Sequence, residues 1–278
     1  MENAFFERHL SIPELFAMSL RLLRANWKYI LLLAALFMLP MGITQRFIPT
    51  RYLDGFLTLA EAGASGLLLN SSESLAALSG MMKFSYLMLG LTIVFTPAAN
   101  GGLAHIAYHG ARRQSVSVSG LLDASLMRLW KYILTMLIFA LLFVLTAWLL
   151  FLPMIYVAVA YGFVTAAIAT TGRWGLGAMQ ESARVVKGQW FRTLGFLLSL
   201  YAMQYLASMA ISYLLPLLGA DLSIFIAVPL EVLTFVPLSI FPMMQALWFF
   251  NRREVMERQN MLPPAPADLP PSDGQDPR

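Results

Sequence analysis

The sequence predicts an all-α, polytopic membrane protein with six transmembrane helices, arranged as three helical hairpins with interfacial amphipathic helices. Two observations support this fold class. The 278 residues are 59% hydrophobic and only 12% charged, whereas a soluble domain carries about 25% charged residues. In addition, the charged residues are confined to short stretches between long apolar runs, as in chains that cross a membrane several times. A soluble globular protein is therefore excluded.

The apolar runs give the number of spans, because a helix needs about 20 residues to cross the hydrocarbon core of a bilayer. The run 130–171 is about twice that length, and Pro153 lies near its middle. Since proline favours a turn or a helix start over a helix interior, this run predicts two helices. The six predicted spans are 27–47, 82–108, 130–151, 154–171, 190–217 and 222–250.

The distribution of Lys and Arg predicts the orientation. Arg46, Arg51 and Lys83 fall on one side, and all the other basic residues lie in the N-terminal segment, in two alternate loops and in the C-terminal segment. Basic residues are enriched in cytoplasmic segments. We therefore expect a multi-pass protein of the bacterial inner membrane with both termini in the cytoplasm.

The same reading divides the chain into three parts. Residues 1–26 are predicted to be a cytoplasmic amphipathic segment, and residues 27–250 the six-helix transmembrane domain. Residues 251–278 are predicted to be a disordered cytoplasmic tail, because the sequence from Pro263 onward is rich in proline and poor in core-forming residues.

One sequence pattern recurs three times. Residues 19–31, SLRLLRANWKYIL, align without a gap with residues 182–194, SARVVKGQWFRTL, and residues 125–134, SLMRLWKYIL, repeat its second half. Each unit is predicted to hold a basic amphipathic helix, an interfacial Trp, an outward span and an inward span. A shared membrane environment is the alternative explanation for part of this match. A capping box of Ser11 and Glu14 predicts where the first amphipathic helix begins.

These helices provide candidate contacts to lipid headgroups. Basic side chains on an interfacial helix reach phosphates while its apolar face meets acyl chains, and Trp prefers the headgroup level. The candidate headgroup residues are Arg21, Arg24, Trp27, Arg128, Trp130, Arg184, Lys187 and Trp190.

The pattern Ser-Ala-Arg-Val-Val-Lys-Gly-Gln-Trp at 182–190, after a turn with Gly172, Gly175 and Gly177, resembles a known membrane module. It is similar to the membrane domain fused to some bacterial glycerophosphoryl diester phosphodiesterases, and to free-standing inner-membrane proteins of the same type. The resemblance covers about residues 11–250. A phosphodiesterase barrel needs about 250 residues, and the sequence has no room for one after the last span. The resemblance therefore implies the membrane module without its catalyst.

Glu231 is the most informative polar residue within a predicted span. A carboxylate inside a membrane is costly and is by default a candidate for proton transfer or ligand binding. On this hypothesis Glu231, Gln204 and Asn100 line a path through the bundle. The alternative is a structural one, in which a protonated Glu231 is hydrogen-bonded to Gln204 or Tyr201 on the fifth span.

No catalytic or metal-binding motif is recognisable. The sequence has no cysteine, and its histidines are His9, His105 and His109. The last two are four residues apart on one helix face, but a zinc site needs at least three protein ligands. Neither a nucleophile elbow nor a phosphate-binding loop is present in the sequence. We expect no enzymatic activity, no cofactor, no bound metal and no nucleic-acid partner.

Two functions remain open on the sequence alone. The first is a non-enzymatic membrane protein that binds or organises lipids, or that serves as an accessory subunit of an unidentified membrane protein in envelope homeostasis. The alternative is a small transporter or exporter that depends on Glu231.

Overall fold

The computed structural model describes residues 8–47, 72–149, 151–217 and 224–259, which form helices and connecting turns without any β-strand. Two π-helical turns, Ala34–Met38 and Asp123–Met127, continue the helices before them. The α-helices are α1 Ile12–Leu33, α2 Leu39–Phe47, α3 Ser72–Ala111, α4 Val118–Leu122, α5 Leu129–Leu149, α6 Phe151–Ala160, α7 Val164–Thr171, α8 Leu176–Val186, α9 Trp190–Leu217, α10 Ile224–Leu238 and α11 Ile240–Arg258.

Six helical stretches are long and apolar enough to cross a membrane, which confirms the predicted fold class. The first span is the second half of α1 with α2, and the second span is α3. The third is α5, and the fourth is α6 with α7. The fifth is α9, and the sixth is α10 with α11. The predicted division of 130–171 is confirmed, because this stretch contains parts of two separate candidate spans, Val118–Thr146 and Leu152–Thr171, and Pro153 lies in the first turn of α6.

Each of the three sequence units has a short helix, a break and then a span. Asn26 has non-helical backbone angles inside α1, directly before Trp27. In the second unit the helix of α4 and its π-helical turn is interrupted at Arg128. In the third, α8 ends at Val186 and α9 begins at Trp190. The break therefore separates the interfacial helix from the span at the same place in each unit.

Burial follows the alignment of the first and third units. Leu15, Ser19 and Leu22 are buried in α1, and the aligned Ala178, Ser182 and Val185 are buried in α8. Conversely, the aligned pairs Arg21 with Arg184 and Arg24 with Lys187 are exposed in both units. A shared membrane environment alone would not cause aligned positions of the two units to be buried in the core of the protein. The match therefore indicates a structural repeat.

The second, fourth and sixth spans form the centre of the bundle. The second span packs against both the fourth and the sixth, and each odd-numbered span lies between two even-numbered ones. The first span lies between the second and the sixth, the third between the second and the fourth, and the fifth between the fourth and the sixth. In their apolar stretches, 50% of the residues of the fourth and sixth spans are buried, compared with 11% of the third.

Each interfacial helix packs against the second of the two spans in the unit before it. Helix α4 and its π-helical turn contact α3, and α8 contacts α6 and α7. The first half of α1 belongs to the first unit, and α1 packs against α11 of the last unit. The three units therefore close into a ring.

The last helix corrects the predicted boundary at residue 250. Helix α11 continues to Arg258, and Asn251, Arg252, Val255 and Met256 are buried. The apolar run ends near residue 250, but the charged residues that follow continue the helix, because they are paired or hydrogen-bonded at one end of the bundle. The predicted disorder of the sequence from Pro263 onward lies outside the described residues.

Aromatic rings join the central helices. Phe163, between α6 and α7, stacks on Trp248 of α11 with ring centroids 4.7 Å apart. Phe196 of α9 stacks on the same Trp248 at 5.3 Å. On the other side of α11, Phe250 meets Tyr108 of α3 edge to face at 5.2 Å. Such ring pairs stabilise packing beyond their buried area, and they fix α11 against three neighbouring spans.

Candidate functional site

Arg24 and Lys187 are the exposed basic residues of the interfacial helices that lack an ion pair. They occupy aligned positions, three residues before Trp27 and Trp190. Among the described carboxylates, none forms a salt bridge with either side chain. Arg21 is also exposed and has an interaction partner within the chain. Arg24 and Lys187 are therefore available to an anionic group outside the protein.

Arg128 is held inside the protein instead. Its guanidinium donates hydrogen bonds to the carbonyls of Ile168 (3.3 Å) and Ala169 (3.0 Å) at the end of α7. It also pairs with Asp123 at 2.8 Å, and its side chain is only 13% exposed. Carbonyls at a helix C-terminus lack partners within the helix and attract cations. These bonds leave Arg128 little freedom to reach a lipid headgroup.

The three tryptophans that align in the repeat differ in their surroundings. Trp27 is 50% exposed and Trp130 is 48% exposed, and Trp130 meets Trp174 edge to face at 5.2 Å. Trp190 is half-buried and stacks on Tyr156 at 6.3 Å. Its Nε1 is buried without a hydrogen-bond partner among the described residues. Trp27 and Trp130 thus present more surface to lipid than Trp190 does.

Glu181 of α8 is the centre of a buried ion-pair network. Its carboxylate lies 3.4 Å from Arg253, 3.7 Å from Arg184 and 3.9 Å from Arg173. Arg253 also pairs with Glu257 at 2.8 Å. Glu181 and Arg253 are both buried. Arg184 was predicted as a site residue and Glu181 was not, although a single acidic residue in a basic amphipathic helix could have indicated Glu181.

A second polar group joins the N-terminal segment to α11. The side chain of Asn251 accepts a hydrogen bond from the backbone nitrogen of Leu10 (3.0 Å) and donates one to the carbonyl of Arg8 (2.9 Å). Next to it, the guanidinium of Arg252 donates to Nε2 of His9 at 2.6 Å and to the carbonyl of Val185 at 3.4 Å. These bonds close the ring of three units.

His9 is neutral in this arrangement. Its pKa is lowered first by burial, then by the positive charges of Arg252 and Arg192. A neutral imidazole can accept the hydrogen bond from Arg252 at Nε2, whereas a protonated one cannot. Neither His9 nor this pairing was predicted as part of a site, because its partner lies more than 240 residues away in the sequence.

Three residues were predicted to line a transport path, and the structure describes the side chains of two of them, Asn100 and Gln204. Asn100 lies on α3 and Gln204 on α9, and these helices share no substantial contact among the described residues. Glu231 lies on α10, but its side chain is outside the described part of the structure. Its role in proton transfer or binding stays a prediction.

The helix break in the fourth span is stabilised by side chains from two other helices. Ser182 donates a hydrogen bond to the carbonyl of Ala160 (2.8 Å) and accepts one from the nitrogen of Phe163 (3.2 Å). Gln245 of α11 donates to the carbonyl of Gly162 at 2.6 Å. The backbone groups of this break are therefore bonded within the protein, as required in a membrane.

The two histidines of α3 lie close together, with ring centroids 4.2 Å apart at His105 and His109. Among the described residues, no group of three or more His, Asp or Glu side chains is placed to hold a metal ion.

Comparisons with family models, with characterised proteins and with solved structures find no match. The fold itself defines the class: this chain is an all-α, multi-pass membrane protein.

Proposed function

We propose that this chain is a non-enzymatic integral membrane protein that binds anionic lipid headgroups through its interfacial helices. The observation that carries the proposal is the pair Arg24 and Lys187, two exposed cations at repeat-equivalent positions without a carboxylate among the described residues. Other basic side chains at this end of the bundle are engaged by the protein, as Arg128 and Arg253 show.

The surroundings of both cations suit a lipid surface. Trp27 is half-exposed and lies three residues after Arg24. Phe191 is 82% exposed and lies four residues after Lys187. An aromatic ring beside a basic residue fits the boundary between headgroups and acyl chains. Each basic residue near an anionic leaflet contributes about 1 kcal/mol of binding free energy.

The proposal extends to the setting of the protein. The excess of Lys and Arg at the end of the bundle that carries both terminal segments supports a bacterial inner membrane with cytoplasmic termini. The resemblance to the phosphodiesterase membrane domain supports a module that organises lipids, or an accessory subunit in envelope homeostasis, rather than a catalyst.

The first prediction concerns lipid selection by Arg24 and Lys187. The double variant Arg24→Gln/Lys187→Gln should lose enrichment of phosphatidylglycerol over phosphatidylethanolamine by roughly fivefold per residue, because each lost charge removes about 1 kcal/mol of attraction. The measurement is quantitative lipid mass spectrometry on protein extracted in native membrane patches.

A matched control uses a cation at the other end of the second span. Lys83→Gln removes the same charge from an exposed position of α3 that is predicted to face away from the cytoplasm. It should leave the enrichment unchanged. Equal lipid composition around the double variant and the unmodified protein would contradict the proposed function.

A further inference from the structure

Arg252 is a buried cation whose charge is not balanced by the described part of the chain. The residue is only 7% exposed. Its hydrogen-bond partners are the neutral ring of His9 and the carbonyl of Val185. Neither partner carries a negative charge. Burying a charge without compensation is costly, and buried charges in proteins are normally paired.

The adjacent Arg253 shows what such compensation looks like in this fold. It is equally buried, and it pairs with Glu181 at 3.4 Å and with Glu257 at 2.8 Å. Arg252 has no such carboxylate. Its charged neighbour is Arg192, a second cation, which acts electrostatically on both Arg252 and His9.

The other carboxylates whose side chains the structure describes are already engaged by other cations. Glu14 pairs with Arg8, Asp123 with Arg128 and Glu254 with Arg112. Glu181 and Glu257 belong to the network of Arg253. None of these carboxylates is left to balance the buried charge of Arg252.

We propose that Arg252 and Arg192 bind the phosphate group of an anionic phospholipid where the third unit meets the first. Two guanidinium groups provide the planar donors that match phosphate oxygens. Arg192 is exposed and lies in the first turn of α9, directly after the 82% exposed ring of Phe191. A lipid can therefore place its phosphate at the arginines and its acyl chain along the fifth span.

This inference rests on the proposed lipid binding and deepens it, because it assigns a single tight site in addition to the exposed cations Arg24 and Lys187. A tight site should keep its lipid when bulk lipid is removed. The second prediction is that the full-length protein, washed in neutral detergent, retains one anionic phospholipid in native mass spectrometry.

The variant Arg192→Gln should weaken that retention about tenfold, because one charge-assisted hydrogen-bonding partner of the phosphate is lost. Arg192 is exposed, so its replacement should leave folding intact. Arg252→Lys, which keeps the charge and loses the planar donors, should give an intermediate loss. In contrast, Arg24→Gln/Lys187→Gln should retain the lipid even if it loses the general enrichment, so the two proposals can fail separately.

Two additions of ligand identify the source of the phosphate. Thermal unfolding of delipidated protein is measured with phosphatidylglycerol or with inorganic phosphate, each at matched ionic strength. The site is supported if either ligand raises the unfolding temperature of the unmodified protein but not that of Arg192→Gln. The ligand that does so shows whether the bound phosphate belongs to a lipid or is free phosphate. Equal retention and equal stabilisation in both proteins would overturn the proposal.

A carboxylate of the chain is the competing counter-charge. Glu2 and Glu7 precede His9 in the sequence and lie outside the described residues. If Glu2→Gln/Glu7→Gln lowers the unfolding temperature and added phosphate has no effect, the anion is supplied by the protein and the proposal is wrong.

Discussion

At the scale of single residues, Glu181 and Arg253 depend on each other. Both are buried at the junction of α8 and α11, and the carboxylate also faces Arg173 and Arg184. Removing one member of a buried ion pair leaves the other charge uncompensated, which costs about 3–5 kcal/mol. The third prediction is that Glu181→Gln lowers the free energy of unfolding by about 3 kcal/mol.

The matched comparison for this variant is Arg173→Gln. Its side chain is 46% exposed and lies 3.9 Å from Glu181, and exposed ion pairs contribute at most about 1 kcal/mol. Chemical denaturation in mixed micelles measures both variants. Equal losses of stability for the two would show that the buried pair is not the stabilising element.

The roles of individual side chains were harder to predict from the sequence than the positions of the helices. Arg24 and Lys187 could be placed on an exposed helix face because an amphipathic period fixes the direction of each side chain. The sequence did not distinguish the role of Arg128 from that of Arg24 and Lys187, because the hydrogen bonds of Arg128 to the end of α7 join segments that are distant in the sequence. The partners of Glu181, Arg252 and His9 could not be predicted from local sequence patterns for the same reason.

At the scale of elements, hydrophobic run length and the repeated Trp were sufficient to predict the spans. The capping box at Ser11 is confirmed, because the backbone nitrogen of Ser11 donates to Glu14 at 2.8 Å and α1 begins at Ile12. The interruption of the fourth span was not predicted. It is stabilised by Ser182 and Gln245, whose roles require knowledge of the packing.

The contact between the second and third spans depends on a glycine. A Cβ atom built at Gly101 of α3 would collide with the hydroxyl of Tyr132, which is fully buried and donates a hydrogen bond to the carbonyl of Ala124 at 2.8 Å. The fourth prediction is that Gly101→Ala destabilises the protein by about 1–3 kcal/mol, the usual cost of overpacking.

Gly90 gives the control on the same helix. A Cβ atom at Gly90 would have no neighbour within 4 Å, so Gly90→Ala should be neutral or slightly stabilising in a helix. Thermal unfolding of both variants in lipid nanodiscs provides the test. An unfolding temperature for Gly101→Ala equal to that of the unmodified protein would contradict the close contact.

At the scale of the whole molecule, the three units form a closed ring. The first, third and fifth spans lie between the second, fourth and sixth, and each interfacial helix packs against the preceding unit. The sequence could reveal the repeat but not this order, because three hairpins that start on the same side can be arranged in several ways. The order is set by contacts such as Phe163 with Trp248, which join distant parts of the chain.

Ring closure predicts how truncation affects stability. Removing residues 251–278 deletes Asn251, Arg252 and Arg253, which bind the N-terminal segment and α8. The fifth prediction is that this truncation sharply lowers the unfolding temperature and the yield of monodisperse protein. Removing only residues 260–278 should change neither, because α11 ends at Arg258. If both truncations behaved alike, the C-terminal end of α11 would have no part in closing the ring.

The closure between the first and the last unit also orders events during synthesis. The backbone nitrogen of Leu10 finds its partner on Asn251, 241 residues later, whereas the interfacial helices of the other two units find theirs on spans that are already made. Chains leave the ribosome from the N-terminus at about 5–20 residues per second. The first interfacial helix is therefore synthesised before the other two, but it can complete its contacts only after the sixth span has been made.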